Sequence, residues 1–231
     1  MDGPPPGPYS HEAMIPERRV TLTVGDGVAL EARLALPPAS PAGVVICHPH
    51  PLYGGDMDNP VVVRAAEAAG ALGLATLRFN FRGVGASTGS HDNGEGEADD
   101  VEAAMAELAG ATGRVALAGY SFGAAVVAWV AARRDDVAGL ALIAPPLAMA
   151  ALPALDAFAG PLLVVAGDDD EYCPRERLAG LRAELPRARV ESIAGANHFF
   201  LGKLFPLGEA IDRWARRLQP AAGAGEEPPG Y

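Results

Sequence analysis

The segment Gly119-Tyr120-Ser121-Phe122-Gly123 has the pattern G-x-S-x-G and offers one serine hydroxyl as a nucleophile. At its ordinary pKa that hydroxyl attacks poorly; it needs a base, and the base needs a carboxylate to orient it. A single histidine follows Ser121 in the chain, His198 in "GANHFF". Between the two lies the run Asp168-Asp169-Asp170-Glu171, a supply of carboxylates. A serine, an acid and a histidine together imply acyl transfer: attack on a carbonyl, a covalent acyl intermediate, then release by water.

A second segment, Gly85-Ala86-Ser87-Thr88-Gly89, fits the same pattern. Context separates the two. A serine presented at a sharp strand-to-helix turn needs a buried strand ending on it and a helix starting after it. "RVALAGY" leads straight into Ser121, and "FGAAVVAWVAA" continues from it with high helix propensity. Arg82, Gly83, Val84 and Gly85 intervene between the strand "LATLRFN" and Ser87, and the polar "GSHDNGEGE" comes after it. Ser87 is therefore expected in a loop. Gly119 and Gly123 are expected to let strand and helix pass where side chains would collide.

The elements that must position these groups are readable in order. "RVTLTV" and "VALEARLAL" alternate, with "GDG" between them as a hairpin turn. "GVVICHP" is a short apolar run of a fully buried strand. Asn59 caps a helix with Pro60 at its first position, closed by Gly70 or Gly73. "LATLRFN" is a strand, and 97–109 an amphipathic helix with Gly110 after it. After the Ser121 unit come strands "VAGLALIA" and "PLLVVAG", a helix "PRERLAGLRAEL" starting at Pro174, the strand "ARVESIAG" and a helix within 203–218. Two antiparallel strands followed by alternating strand and helix indicate an α/β fold, a mostly parallel twisted sheet with helices on both faces. One domain over 18–219 is expected, with a flexible N-terminal arm over 1–17 and a disordered C-terminal tail over 220–231.

Composition narrows the function. The 231 residues are 49% apolar and 20% charged, with a formal net charge of −11, which argues against a nucleic-acid backbone or an anionic membrane as partner. The uncharged run Val137 to Leu155 is broken by Pro145, Pro146 and Pro153, so a buried strand and an apolar loop are expected there rather than a membrane span. "MDGPPPGPYSHEAM" has neither a basic nor an apolar signal region, which leads to an expectation of a cytoplasmic protein. Cys47 and Cys173 do not form a disulfide framework and are expected to pack as small apolar groups.

The rest of the site follows from the same logic. The carboxylate belongs in the loop after "PLLVVAG", where Asp168, Asp169 and Asp170 compete; three adjacent carboxylates cannot all be buried and ionised cheaply. The N–H of Phe122, at a helix N-terminus, is one expected oxyanion donor. The second should come from "HPHPLYGG". Pro49 and Pro51 carry no N–H, leaving His50 and then Leu52. His48 and His50 form an H-x-H pair, but with no further ligand at matching spacing neither a metal nor any other cofactor is expected.

With these residues in place the chain resembles the α/β-hydrolases, and more narrowly the small bacterial dienelactone-hydrolase-like hydrolases that carry an "HPHPLYGG" segment. "RFNFRGVGAS", "DNGEGEADD", "GYSFG", "GDDDEYCP" and "GANHFF" match that group in order, over about residues 20–215. The resemblance implies an α/β-hydrolase fold. It implies that the acid is the Asp third after the glycine of the G-x-x-D segment, here Asp170. In the dienelactone hydrolases proper the nucleophile is cysteine, so dienelactone is a poor guess for a serine-bearing chain. The "DNGEGEADD" match gives Asp92 and Glu97 no catalytic role; Glu97 is expected to help start its helix, and Arg82 to form a structural ion pair. Between "GLALIA" and "PLLVVAG" only 145–160 intervene, too few for a full cap domain; Leu147, Met149, Leu152, Leu155 and Phe158 there are expected to line a pocket wall. The expected function is a carboxylesterase acting on a small-molecule acyl substrate through Ser121, Asp170 and His198. A peptidase, thioesterase or perhydrolase with the same triad, or a non-catalytic binding protein on this scaffold, are the alternatives.

Overall fold

The computed structural model describes residues 15–25 and 27–220. Most of the expected arm and tail lies outside these residues. Glu17, at the end of the arm, is held by a two-bond ion pair to Arg78.

Eight strands form one sheet in the order β1-β2-β4-β3-β5-β6-β7-β8. They are β1 (Arg18–Thr23), β2 (Ala29–Ala35), β3 (Gly43–Cys47), β4 (Ala75–Phe79), β5 (Val115–Tyr120), β6 (Val137–Ile143), β7 (Leu162–Gly167) and β8 (Arg189–Ile193). β2 runs antiparallel to β1 and β4, and every other neighbouring pair is parallel. Among the described residues four α-helices lie between strands, α1 (Pro60–Gly70), α2 (Glu95–Thr112), α3 (Phe122–Ala132) and α4 (Arg175–Glu184), and α5 (Leu204–Ala215) follows β8. This is the α/β-hydrolase fold, without a lid.

The central strands are buried on both faces, which is why they read as unbroken apolar runs. Their side chains divide by the period of two. Val45, Cys47, Leu117 and Val164 join the core under α2, α3 and α4. Val44, Ile46, Ala118, Tyr120 and Val165 join the core under α1 and α5.

Two expectations change. α2 begins two residues earlier than expected and runs through Gly110 to Thr112; Gly113, at φ 71°, ends it. No atom crowds Gly110, so the helix crosses it, and the left-handed turn falls where the chain must bend into β5. Of the apolar residues expected to line a pocket wall in the 145–160 loop, Leu155 and Phe158 do line one, together with Leu162 and Leu185 and with none of the proposed site residues. Leu147 and Leu155 are buried in the core under the helices, and Leu152 and Phe158 pack against it. Burying them there removes more apolar surface from water than an open cleft would. Only Met149 stays largely exposed. The run from Val137 begins as β6, and no helix among the described residues is long and apolar enough to cross a membrane.

Candidate active site

After β3 the chain builds β4 on one side, then returns to the other side with β5. This reversal opens a crevice at the carboxyl ends of β3 and β5, the usual ligand position of such sheets. Ser121 stands there, directly between β5 and α3.

Its backbone has φ 54° and ψ −114°, a conformation that costs a non-glycine residue about 1–3 kcal/mol. The surroundings impose it. Ser121 N–H donates to Ile143 O on β6 (2.9 Å), and its own carbonyl accepts from Ala124 (2.9 Å) and Ala125 (3.2 Å). A Cβ on Gly119 would stand 2.3 Å from Gly123 O, and one on Gly123 would stand 2.6 Å from His48 O and 2.7 Å from Cys47 O. Strand, helix and the end of β3 thus touch through backbone alone. Glycine is required at both positions.

Ser121 Oγ lies 3.0 Å from His198 Nε2, and His198 Nδ1 lies 2.9 and 3.0 Å from the two carboxylate oxygens of Asp170. The structure brings these three residues, far apart in sequence, into one hydrogen-bonded chain. Asp170 is 4% exposed, and its Oδ1 also accepts the N–H groups of Tyr172 (2.9 Å) and Cys173 (3.0 Å). Asp168 points away from the histidine and braces the loop instead, accepting Gly195 N–H at 2.6 Å and pairing with Arg175 at 2.6 Å. Asp169 is exposed, and its backbone N–H donates to Ala196 O at 3.0 Å. The loop bearing the acid and the loop bearing His198 are therefore tied directly. A Cβ on Gly167 would meet Ala196 O at 2.0 Å, which forces glycine there too.

Tyr120, which sequence reasoning did not single out, donates its hydroxyl to His198 O at 3.0 Å. Burial, and then the charge of Asp170, push its pKa well up, so it remains a proton donor. Only its place beside Ser121 could have flagged it.

The β3–α1 loop turns back over the crevice as a 3-10 turn at Pro51–Tyr53, with Gly54 at φ 79°. A Cβ on Gly55 would sit 2.1 Å from Pro49 O. The ring of His50 lies 4.9 Å from that of Phe122, so the loop rests against the start of α3. The N–H groups of Phe122 and His50 make no hydrogen bond among the described residues, whereas Leu52 N–H is already donated to His50 Nδ1 at 3.2 Å. Of the two loop candidates, His50 retains the open N–H.

His48 shows why the H-x-H pair offers no metal site. Its Nδ1 lies 2.6 Å from Pro49 O, and its Nε2 accepts Phe81 N–H at 3.0 Å. Both nitrogens are used by the fold, and burial lowers the ring's pKa to about 4. Cys47 and Cys173 are free and buried; burial, and a nearby carboxylate after it, raise both thiols, Cys173 to about 12. Arg82 and Asp100 form a buried pair (2.7 Å), and Glu97 accepts Gly94 N–H (2.8 Å) at the start of α2.

Exposed apolar groups adjoin the site residues in the chain: Leu52 and Tyr53 after His50, and Phe199 and Leu201 after His198. The Tyr172 ring is 4.7 Å from that of His198.

Residues 42–205 match a family described as alpha/beta hydrolase domain. An uncharacterized protein of Rickettsia prowazekii is 33% identical over 204 residues, 80% of this chain and 82% of that one. Among solved structures, an alpha-beta serine hydrolase homologue from Coxiella burnetii is 38% identical with a TM-score of 0.78, covering 85% of this chain and 96% of that one. A lidless serine hydrolase of the same fold from Xanthomonas campestris is 33% identical with a TM-score of 0.79, covering 91% and 99%.

Proposed function

The chain belongs to the alpha/beta hydrolase domain family, and on that premise we propose that it is a serine hydrolase cleaving carboxylic esters through an acyl-enzyme on Ser121. The observation that carries this reading is the 3.0 Å contact between Ser121 Oγ and His198 Nε2, with Asp170 behind the ring. His198 Nε2 takes the hydroxyl proton as Oγ attacks the ester carbonyl. The developing oxyanion is held by the N–H groups of Phe122 and His50, in the positive field of the α3 N-terminus. His198 then returns the proton to the departing alkoxide, and water attacks the acyl group with His198 again as base. Asp170 accepts Nδ1–H, fixes the tautomer and stabilises the imidazolium.

The exposed apolar side chains next to His50 and His198 support an ester of modest size over a peptide, which would need polar groups to hold its backbone. The test is a comparison of p-nitrophenyl esters of graded chain length with matched thioesters and peptide anilides. Fastest turnover on short esters is the expected result. Faster turnover on thioesters or anilides would replace the ester in this reading.

A further inference from the structure

The proposed reaction makes no use of His91, a residue of the β4–α2 loop whose side chain is only 9% exposed. Its Nδ1 lies 2.7 Å from Glu97 Oε1. Burial pushes the Glu97 carboxyl up, but hydrogen bonds from Asp92 (3.0 Å), Gly94 (2.8 Å), its own N–H and His91 outweigh it and hold the group below the usual range. An ionised carboxylate only accepts. His91 Nδ1 therefore carries a hydrogen and donates it to Glu97, which leaves Nε2 for another partner. That atom is buried and has no hydrogen-bond partner among the described residues.

Its neighbours are the rings of the site: His50 at 4.8 Å and Phe122 at 5.4 Å. His50 is complementary. Its Nδ1 accepts Leu52 N–H, which puts the hydrogen of the neutral ring on Nε2, a donor without a partner among the described residues. Burial lowers the pKa of His50 and favours that neutral form. The bond to Glu97 uses only Nδ1, and a buried nitrogen left unanswered costs free energy.

An open donor on His50 and an unpartnered ring nitrogen on the adjacent His91 suit a hydroxyl, which accepts from the first and can pair with the second as well. We infer that His50 and His91 form a subsite for a substrate hydroxyl, so that the preferred ester carries a hydroxyl a few atoms from the scissile carbonyl; this rests on the reading of Ser121 given above. The way in is at the surface. Tyr53, which packs on His50 at 4.8 Å, is 85% exposed, so little packing opposes its displacement from that ring.

The test is kcat/KM on shape-matched pairs: p-nitrophenyl butyrate against the 3-hydroxypropionate ester, p-nitrophenyl 2-methylbutyrate against the 2-hydroxybutyrate ester, and propyl butyrate against 2-hydroxyethyl butyrate. Each ratio is divided by that for hydroxide hydrolysis, which removes intrinsic reactivity. At least one hydroxylated ester should be favoured by about tenfold or more, because a site with hydrogen-bonding groups penalises a substrate that leaves them unpaired. His91→Phe should bring that ratio close to one, and a general loss of activity cancels within the ratio. His91→Gln, which offers a carbonyl acceptor, should keep part of the preference and serves if the phenylalanine variant folds poorly. Plain esters cleaved as fast as every hydroxylated partner, or a preference unchanged in His91→Phe, overturns the subsite and leaves the reading of Ser121 standing. No turnover of any ester overturns both.

Discussion

Ser121 and Ser87 sit in the same five-residue pattern, and the fold treats them in opposite ways. Ser87 Oγ donates to Asn80 O at 2.7 Å and accepts Glu31 N–H at 2.9 Å; its hydrogen bonds join two strands and leave nothing for a substrate. Among the described residues Ser121 Oγ bonds only to His198, and its backbone is held in a strained turn by contacts from β3 and β6. The same contrast recurs between Asp170 and Asp168, and between His198 and His48. In each pair one side chain is spent on the fold, and the other takes its place in the chain of hydrogen bonds that ends on Ser121. A reactive group in this molecule is recognised by the partners its hydrogen bonds join, and residue type or motif alone does not reveal that.

The largest effect expected from this contrast is on the serines. Ser121→Ala should abolish burst-phase release of p-nitrophenol. Ser87→Ala should keep the burst and lower stability by about 1–2 kcal/mol, the cost of two buried hydrogen bonds left incomplete. Stopped-flow absorbance and urea unfolding separate the two, and a burst lost in Ser87→Ala but kept in Ser121→Ala would reverse the assignment. The aspartates come next. Asp170→Asn should cut kcat about 10³–10⁴-fold by favouring the wrong tautomer of His198. Asp168→Asn weakens only the tie to Arg175 and Gly195, and steady-state assays should find a far smaller loss.

The elbow glycines offer a stability version of the test. At Gly119 an added Cβ meets backbone at 2.3 Å, whereas at Gly89, with φ 79°, it meets the Val28 side chain at 3.1 Å. Gly119→Ala should therefore lower the melting temperature more than Gly89→Ala, whose cost is mainly the positive φ, roughly 1 kcal/mol. Equal losses would show that the close approach of strand and helix is not what the glycines protect.

The histidine pair adds a pH dependence. His48 keeps a pKa of about 4 in the folded chain against about 6.5 when unfolded, so between those values the unfolded chain binds more protons. Stability from this residue is intact above the unfolded value and falls as pH drops from 6.5 towards 4, by up to about 3 kcal/mol. Urea unfolding across that window measures it. His48→Gln, which keeps an acceptor for Phe81 N–H, should flatten the slope.

Much of this is legible in the sequence because it is local. A strand running into Ser121, a helix running out, and glycines two positions away on either side are read from adjacent residues, and the order of elements follows from their periods. The identity of the acid is not readable from the residues alone. Asp168, Asp169 and Asp170 differ only in which way each points, and that is set by contact with the loop 195–198. Leu147 and Leu155 lie in the core and not in the cleft for a related reason: a proline-broken loop has no period to tell one from the other. Gly110 resembles a helix end because glycine usually marks one, yet nothing in its surroundings asks for a turn there. His91 escapes a reading of the sequence because its significance lies in rings brought to it from the β3 loop and α3.

The most direct measurement is mass-spectrometric mapping of the adduct formed with a fluorophosphonate, on the wild-type protein and on His198→Ala. The account requires one adduct, on Ser121, formed quickly in the wild type and lost or greatly slowed in the variant. An unlabelled protein, or label on Ser87, would contradict it.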